Sequence, residues 1–219
     1  MIRAALADRA EAGRLLGERL ATLPLVRPLV LAIPRGGIDV AEPIARALNA
    51  DLDVVLARKL RSPDQPELAL GAVAESGEMH LNDIGASVAD QLGDELERER
   101  RFQMAEIQRR SRLFRAVRPP APMAGRSVIV TDDGMATGAT LVAALGAVRG
   151  ADPREIIVAL PAMPAARVGQ IRALCGEKGR LECLIADDDF VAVGQFYRDF
   201  SPVSDERVID VLRAFAPAP

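Results

Sequence analysis

Tryptophan is absent and tyrosine occurs once, so with six phenylalanines the aromatic share is 3%. A site that reads bases chiefly by stacking would have few rings to use. Cysteine is limited to Cys175 and Cys183, too few for a disulfide framework and without the spaced His partners of a zinc site. Both read as core or partly buried thiols. His80 is the single histidine, which excludes a multi-histidine metal centre; a satisfied or solvated surface role is the expectation. No apolar run reaches the roughly 18 to 20 residues of a membrane span, and acids interrupt the first apolar residues, so no signal peptide is expected. The expected location is the cytoplasm. A formal charge of −3 and a pI near 5.4 lack the positive excess of a protein that coats nucleic acid.

What remains is an α/β pattern of strands, glycine turns and helices. The 219 residues, 49% hydrophobic and 27% charged, suffice for one α/β domain with a small accessory part. The centre is the stretch at residues 128–140. Val128-Ile129-Val130-Thr131 reads as a strand and runs into Asp132-Asp133; Gly134-Met135-Ala136-Thr137-Gly138-Ala139-Thr140 is a turn, and residues 141–148 read as a helix. Backbone N–H groups and the Thr137 and Thr140 hydroxyls can converge on a phosphate at that helix start, where unsatisfied donors and the helix dipole favour an anion. The carboxylates of Asp132 and Asp133 stand at the strand's carboxyl end, where open α/β sheets bind ligands. They can accept from sugar hydroxyls or help hold a hard cation through oxygen. A phosphorylated sugar is the ligand this implies. A P-loop is excluded because no Lys follows Gly138, and a Gly-x-Gly-x-x-Gly dinucleotide fingerprint is absent.

This apolar strand, Asp-Asp, three residues and Thr-Gly-x-Thr resembles the phosphoribosyl-pyrophosphate (PRPP) signature of the type I phosphoribosyltransferases, matching at every defining position. The resemblance implies a mainly parallel central sheet flanked by helices, with a small hood, and here a long helical insertion. It further implies a single domain over 1–219: a core at about 22–187, an Arg-rich insertion at about 82–118, and a hood and C-terminal part at 1–21 and 188–219. By the same resemblance the chain is a PRPP- and Mg2+-dependent transferase of nucleotide salvage acting on a nitrogenous base, and a homodimer. Asp132 and Asp133 would hold the ribose hydroxyls and Mg2+, directly or through water, and residues Gly134 to Thr140 the 5′-phosphate. Pro34-Arg35-Gly36-Gly37 follows a strand at 27–33 and precedes a helix at 38–48. The family's corresponding loop holds pyrophosphate and usually contains a non-proline cis peptide, which assigns Arg35, Gly36 and Gly37. Arg58 and Lys59, after a strand at 51–57, would complete the pyrophosphate clamp as a cationic turn with Arg61. Family members acting on 6-oxopurines carry Asp immediately before the Thr-Gly; Ala136 stands there, so guanine or hypoxanthine is not implied as acceptor.

Other segments give further expectations. Residues 3–21 read as a packing helix and residues 69–75 with 79–81 as a hairpin. The family's mobile loop would fall within 62–81, where Glu67 and Glu75 could touch a nucleophile. Residues 82–117 read as one long helix or two, with Arg98, Arg100, Arg101, Arg109, Arg110, Arg112, Arg115 and Arg118 crowding the second half among Glu95, Glu97, Glu99 and Glu106. A solvated face laced with ion pairs is the default; a surface for RNA or a partner protein is the sharper idea. Strands at 154–160 and 181–185 flank a helix at 165–174, Asp187-Asp188-Asp189 is a polar turn, and Ser204 caps a last helix. Phe190, Phe196, Tyr197 and Phe200 would line the hood over the base. Two other functions fit the same residues: a PRPP- or nucleotide-sensing regulator working through the Arg-rich helix, and a phosphosugar hydrolase.

Overall fold

The computed structural model describes residues 5–65 and 68–216. Its element order is α1(Arg9–Leu20), β1(Leu29–Ala32), α2(Gly37–Leu48), β2(Asp51–Val54), β3(Ala57–Arg61), β4(Ala69–Ala74), β5(Met79–Leu81), α3(Asp83–Arg115), β6(Ser127–Thr131), α4(Ala139–Arg149), β7(Glu155–Pro164), α5(Val168–Leu174), β8(Arg180–Asp187) and α6(Asp205–Ala214). Five strands form a sheet in the order β2-β1-β6-β7-β8, parallel throughout. The fold class expected from sequence is therefore the one observed.

Strands β1 and β6 are buried along their whole length, as continuous apolar strands between two helical layers must be. Alternate residues face opposite layers. Val30, Ala32 and Ile129 pack with α1, α2 and α6. Leu29, Leu31, Val128 and Val130 pack with α4 and α5. Chain connections leave β1 toward β2 and leave β6 toward β7, in opposite directions across the sheet. The loops after β1 and β6 thus flank a crevice at the switch point, which is where a ligand site belongs in this architecture.

The second sheet, β3-β4-β5, is antiparallel. Its middle strand β4 is buried on both faces, with Leu70 and Val73 joining the α3 side and Ala72 and Ala74 the α4 side. This corrects two expectations. Residues 58–61 are not a cationic turn but part of edge strand β3, where charges are well placed because they discourage pairing with a further strand. The hairpin is wedged between two helices, so the part of 62–81 expected as a mobile loop that lies in β4 and β5 is packed sheet. Pro66 and Glu67 in the connection before β4 lie outside the described residues. Glu75 accepts from Ser111 Oγ at 2.6 Å and lines none of the cavities described below.

Helix α3 runs for 33 residues and breaks once, at Gly93 (φ 36°, ψ −106°), a conformation that an L side chain resists. Asn82 caps it by accepting from Gly85 N at 2.8 Å. The first helix starts at Arg9, not residue 3. Asp8 accepts from Glu11 N at 2.7 Å, and the Glu11 carboxylate accepts from Ala7 N, so an acidic pair at capping spacing fixes the helix start. Residues 3 and 4 of the expected helix lie outside the described residues. Leu6 instead bridges to Tyr197, and residues 190–203 fold over the ends of β7 and β8 through Phe196 and Tyr197. Among the described residues no helix is long and apolar enough to cross a membrane.

Candidate active site

The signature turn leaves β6 at Thr131 and enters α4 through Gly138, whose φ of 82° is left-handed. No side chain caps α4, so first-turn N–H groups are left for an anion. Above this turn lies a cavity of about 180 Å3, lined by Lys59, Asp132, Asp133, residues 134–141, Leu160 and Val193. All seven turn residues from Gly134 to Thr140 border it, although the Met135 amide is engaged by Ala162 O at 2.9 Å.

The loop after β1 closes against the two aspartates. Its Pro34–Arg35 peptide is cis, as the family resemblance implied. A Cβ on Gly36 would fall 1.9 Å from Asp133 Oδ2, and one on Gly37 3.0 Å from Asp132 Cα. Glycine is required at Gly36 because the loops touch. Arg35 is exposed and lines neither this cavity nor the next.

A second cavity, about 250 Å3, adjoins the first and is lined by Ile33, Pro34, Ala57, Arg58, Lys59, Arg61, Gln103, Arg110, Asp132 and Thr140. Lys59, Asp132 and Thr140 belong to both cavities. Four cations therefore face one space. Burial, with repulsion from Arg110 and Arg61, pushes the Arg58 guanidinium below its ordinary value. An anion there would relieve that repulsion. Gln103, 1% exposed, accepts from Arg58 Nε and donates to Glu99 Oε1 at 2.8 Å. Glu99 also accepts from Arg61 N at 3.1 Å, so α3 holds the free edge of β3. The long helix thus builds a wall of the site. Arg110 was grouped with the solvated arginines from sequence; here it is largely buried, near Glu106 at 3.2 Å and Asp205 at 3.6 Å.

The two signature carboxylates differ. Asp133 Oδ2 is held by Arg9 Nε at 2.9 Å and Nη2 at 2.8 Å, a two-pronged grip. Arg9, 8% exposed, lies over the Phe200 ring at 3.8 Å and donates to Ser201 O at 2.9 Å. Tyr197 Oη donates to Asp133 O at 2.6 Å, and burial foremost pushes its pKa up. Asp132 accepts from Asp133 N at 2.8 Å and makes no ion pair among the described residues. Burial, then the adjacent Asp133 charge, raises its pKa well above the usual carboxylate range, with Lys59 opposing. Burial also raises Asp133, against the pull of Arg9.

The hood aromatics are placed otherwise than expected, whereas the cysteines and the acidic triplet are as expected. Phe190, Phe196, Tyr197 and Phe200 do not line the first cavity; from their segment only Val193 does. Phe190 and Phe196 pack on each other at 5.2 Å. His80 abuts Gly146 and lies 3.6 Å from Glu78. Cys175 is buried and Cys183 half-buried, both unpaired, and burial pushes the Cys183 thiol up to about 11. Asp187 accepts from Asp189 N at 2.6 Å, as a polar turn does.

Comparison with known proteins gives a consistent result. The family model described as the phosphoribosyl transferase domain matches residues 2–201. A protein known in two strains of Mycobacterium tuberculosis, named "Putative phosphoribosyl transferase", is 41% identical over 208 residues, covering 94% of this chain and 46% of that protein. The chain thus spans about half the length of the curated relatives it matches. The crystal structure of TT1426 from Thermus thermophilus is 43% identical with a TM-score of 0.81, over 99% of this chain and 100% of that one. The AQ2163 protein from Aquifex aeolicus shares the fold at 12% identity and a TM-score of 0.51, over 86% and 83% of the respective chains.

Proposed function

The chain belongs to the phosphoribosyl transferase family, and from that premise we propose that it transfers the phosphoribosyl group of PRPP to a nitrogenous acceptor with release of pyrophosphate. The observation that carries this reading is the junction of the two cavities at Lys59, Asp132 and Thr140. A phosphate cup beside a four-cation space matches a ligand with a 5′-phosphate at one end and a diphosphate at the other. The turn's free N–H groups and the Thr137 and Thr140 hydroxyls take the 5′-phosphate. Arg58, Lys59, Arg61 and Arg110 take the diphosphate, whose charge grows as the anomeric bond breaks. Gly36 and Gly37 keep the loops close enough for the ribose to touch both.

Asp132 is the carboxylate placed to accept from the ribose hydroxyls. Burial, then the neighbouring Asp133 charge, raises its pKa, and Lys59 opposes that shift. A developing oxocarbenium charge nearby favours the Asp132 anion, and the anion in turn stabilises that charge. Asp133 acts from behind, locked by Arg9, and orients the turn.

The donor set bears on Mg2+. Among the described residues no group of three His, Cys, Asp or Glu is arranged to hold a metal. Asp132 offers a hard oxygen donor, so the site fits an ion carried chiefly by the diphosphate oxygens. Bound there, Mg2+ would neutralise charge on the leaving group.

The test is pyrophosphate release from PRPP and Mg2+ across a panel of purine, pyrimidine and other nitrogenous acceptors. Release dependent on one acceptor supports the transferase. Equal release with no acceptor identifies the hydrolase reading instead, and absence of both release and PRPP binding contradicts the proposal.

A further inference from the structure

The cation cavity does not end at Arg61. That residue also lines a third cavity of about 490 Å3, together with Ser62, Pro63, Glu95, Arg98, Glu99 and Phe102. We propose that this groove between β3 and α3 binds the base of a guanine nucleoside di- or triphosphate, whose phosphates occupy the cation cavity in competition with PRPP. The proposal rests on the reading of that cavity as a diphosphate site.

One helix stripe lines the whole trough. Glu95, Arg98, Glu99, Phe102, Gln103 and Arg110 all border these two cavities; each has another of the set three, four or seven positions away, the spacing of one helical face. At 1.5 Å per residue, Phe102 and Arg110 stand about 12 Å apart along the axis. That is the reach of a nucleotide from its base to its terminal phosphates.

The far end carries base-binding chemistry. Phe102 is 64% exposed, a flat ring on which a base can stack. Arg98, one turn away, offers its guanidinium plane to the same ring system. Glu99 is committed to Arg61 N and Gln103, whereas Glu95 has only a loose approach to Arg98 at 3.9 Å. A carboxylate accepts and never donates when ionised. Its natural partner is a base edge with two adjacent N–H donors, which guanine presents and adenine does not.

The acceptor of the transfer reaction is not the occupant. In-line displacement places nucleophile and leaving group on opposite sides of the reacting centre. With diphosphate on the cations, the acceptor enters from the Val193 and Leu160 side of the cup. Phe102 lies beyond the leaving group. A nucleotide there would block the diphosphate subsite without touching the acceptor wall.

The experiment is calorimetric titration of the full chain with GDP, ADP and inorganic pyrophosphate, in wild type, Phe102→Ala and Glu95→Gln, alongside PRPP binding and turnover. GDP should bind at least about tenfold more tightly than pyrophosphate, consistent with one stacked base, and displace PRPP. Phe102→Ala should erase that gain while leaving pyrophosphate binding and PRPP turnover unchanged, and Glu95→Gln should narrow the preference for GDP over ADP. GDP binding no tighter than pyrophosphate, or unaffected by Phe102→Ala, overturns the proposal; ADP matching GDP overturns the guanine assignment. Phe102-dependent GDP binding without any PRPP binding would sustain the groove and contradict the transferase reading, so the two fail separately.

Discussion

The two halves of the trough are built in opposite ways. The phosphate cup is mainly local: its amides and hydroxyls come from one turn between β6 and α4 with the left-handed Gly138, and only Lys59, Leu160 and Val193 reach it from elsewhere. The cation cavity is assembled from four segments, the loop after β1, edge strand β3, the inner face of α3 and the two ends of the signature turn at Asp132 and Thr140. Local construction makes the cup less sensitive than the cation cavity to the seating of α3. Assembly makes the cation cavity depend on how α3 is seated, and therefore on residues that touch no ligand.

The largest expected effect is on the shared wall. Asp132→Asn should lower turnover by about 10³-fold, the upper range for loss of one preorganised electrostatic contact, with the fold intact. Its stability has a definite pH signature. The folded-state pKa of Asp132 is raised, so its carboxyl supports the fold below the ordinary carboxylate range near pH 4 and that support is lost as pH rises toward the folded value. Asn cannot ionise. Melting temperatures of variant and wild type should coincide near pH 4, and the variant should be the more stable at pH 7 to 8; a variant less stable at neutral pH would refute the burial argument.

Seating of α3 is the next lever. Asp53, 1% exposed, accepts from Arg115 Nη1 at 2.6 Å, Ala121 N at 2.8 Å and Val54 N at 2.7 Å, pinning the end of α3 to β2. Asp53→Ala leaves the half-buried Arg115 guanidinium and the Ala121 amide short of their partner and should cost about 2 to 3 kcal/mol of stability, read by denaturant unfolding. Pyrophosphate affinity should fall more than ribose 5-phosphate affinity, because only the cation cavity leans on α3. Equal losses would erase the contrast between the two halves.

Arg110→Gln should reduce kcat/KM for PRPP by about 10- to 100-fold, with Arg110→Lys restoring part of it. The smallest effect is expected at Arg101, which is 66% exposed and only 3.8 Å from Glu97. Arg101→Ala should change stability by less than about 0.5 kcal/mol and leave kinetics unaltered. A large kinetic effect there would revive the outer arginines as a functional surface.

The same contrast explains what was legible in the sequence. The parallel sheet and its helices followed from apolar runs and turn residues, and the signature turn was visible because all its parts are contiguous. Residues recruited by tertiary contact were not. Arg9 is separated from Asp133 by 124 positions, and nothing in its own helix marks it as the partner of a site carboxylate. Gln103 and Arg110 sit in a charged helix whose periodicity reads as solvated, and only the seating of β3 against it reveals the buried stripe. Segment 58–61 looked like a turn because three cations mask the buried Leu60. The helix start at Arg9 was readable in principle, since Asp8 and Glu11 stand at capping spacing.

One ligand spans the cup and the cation cavity. Calorimetry of ribose 5-phosphate, pyrophosphate and PRPP against wild type and Arg110→Gln tests it most directly. The variant should bind ribose 5-phosphate as wild type does and lose about tenfold or more in affinity for pyrophosphate and for PRPP alike. Unchanged PRPP affinity, or parallel losses for all three ligands, would contradict it.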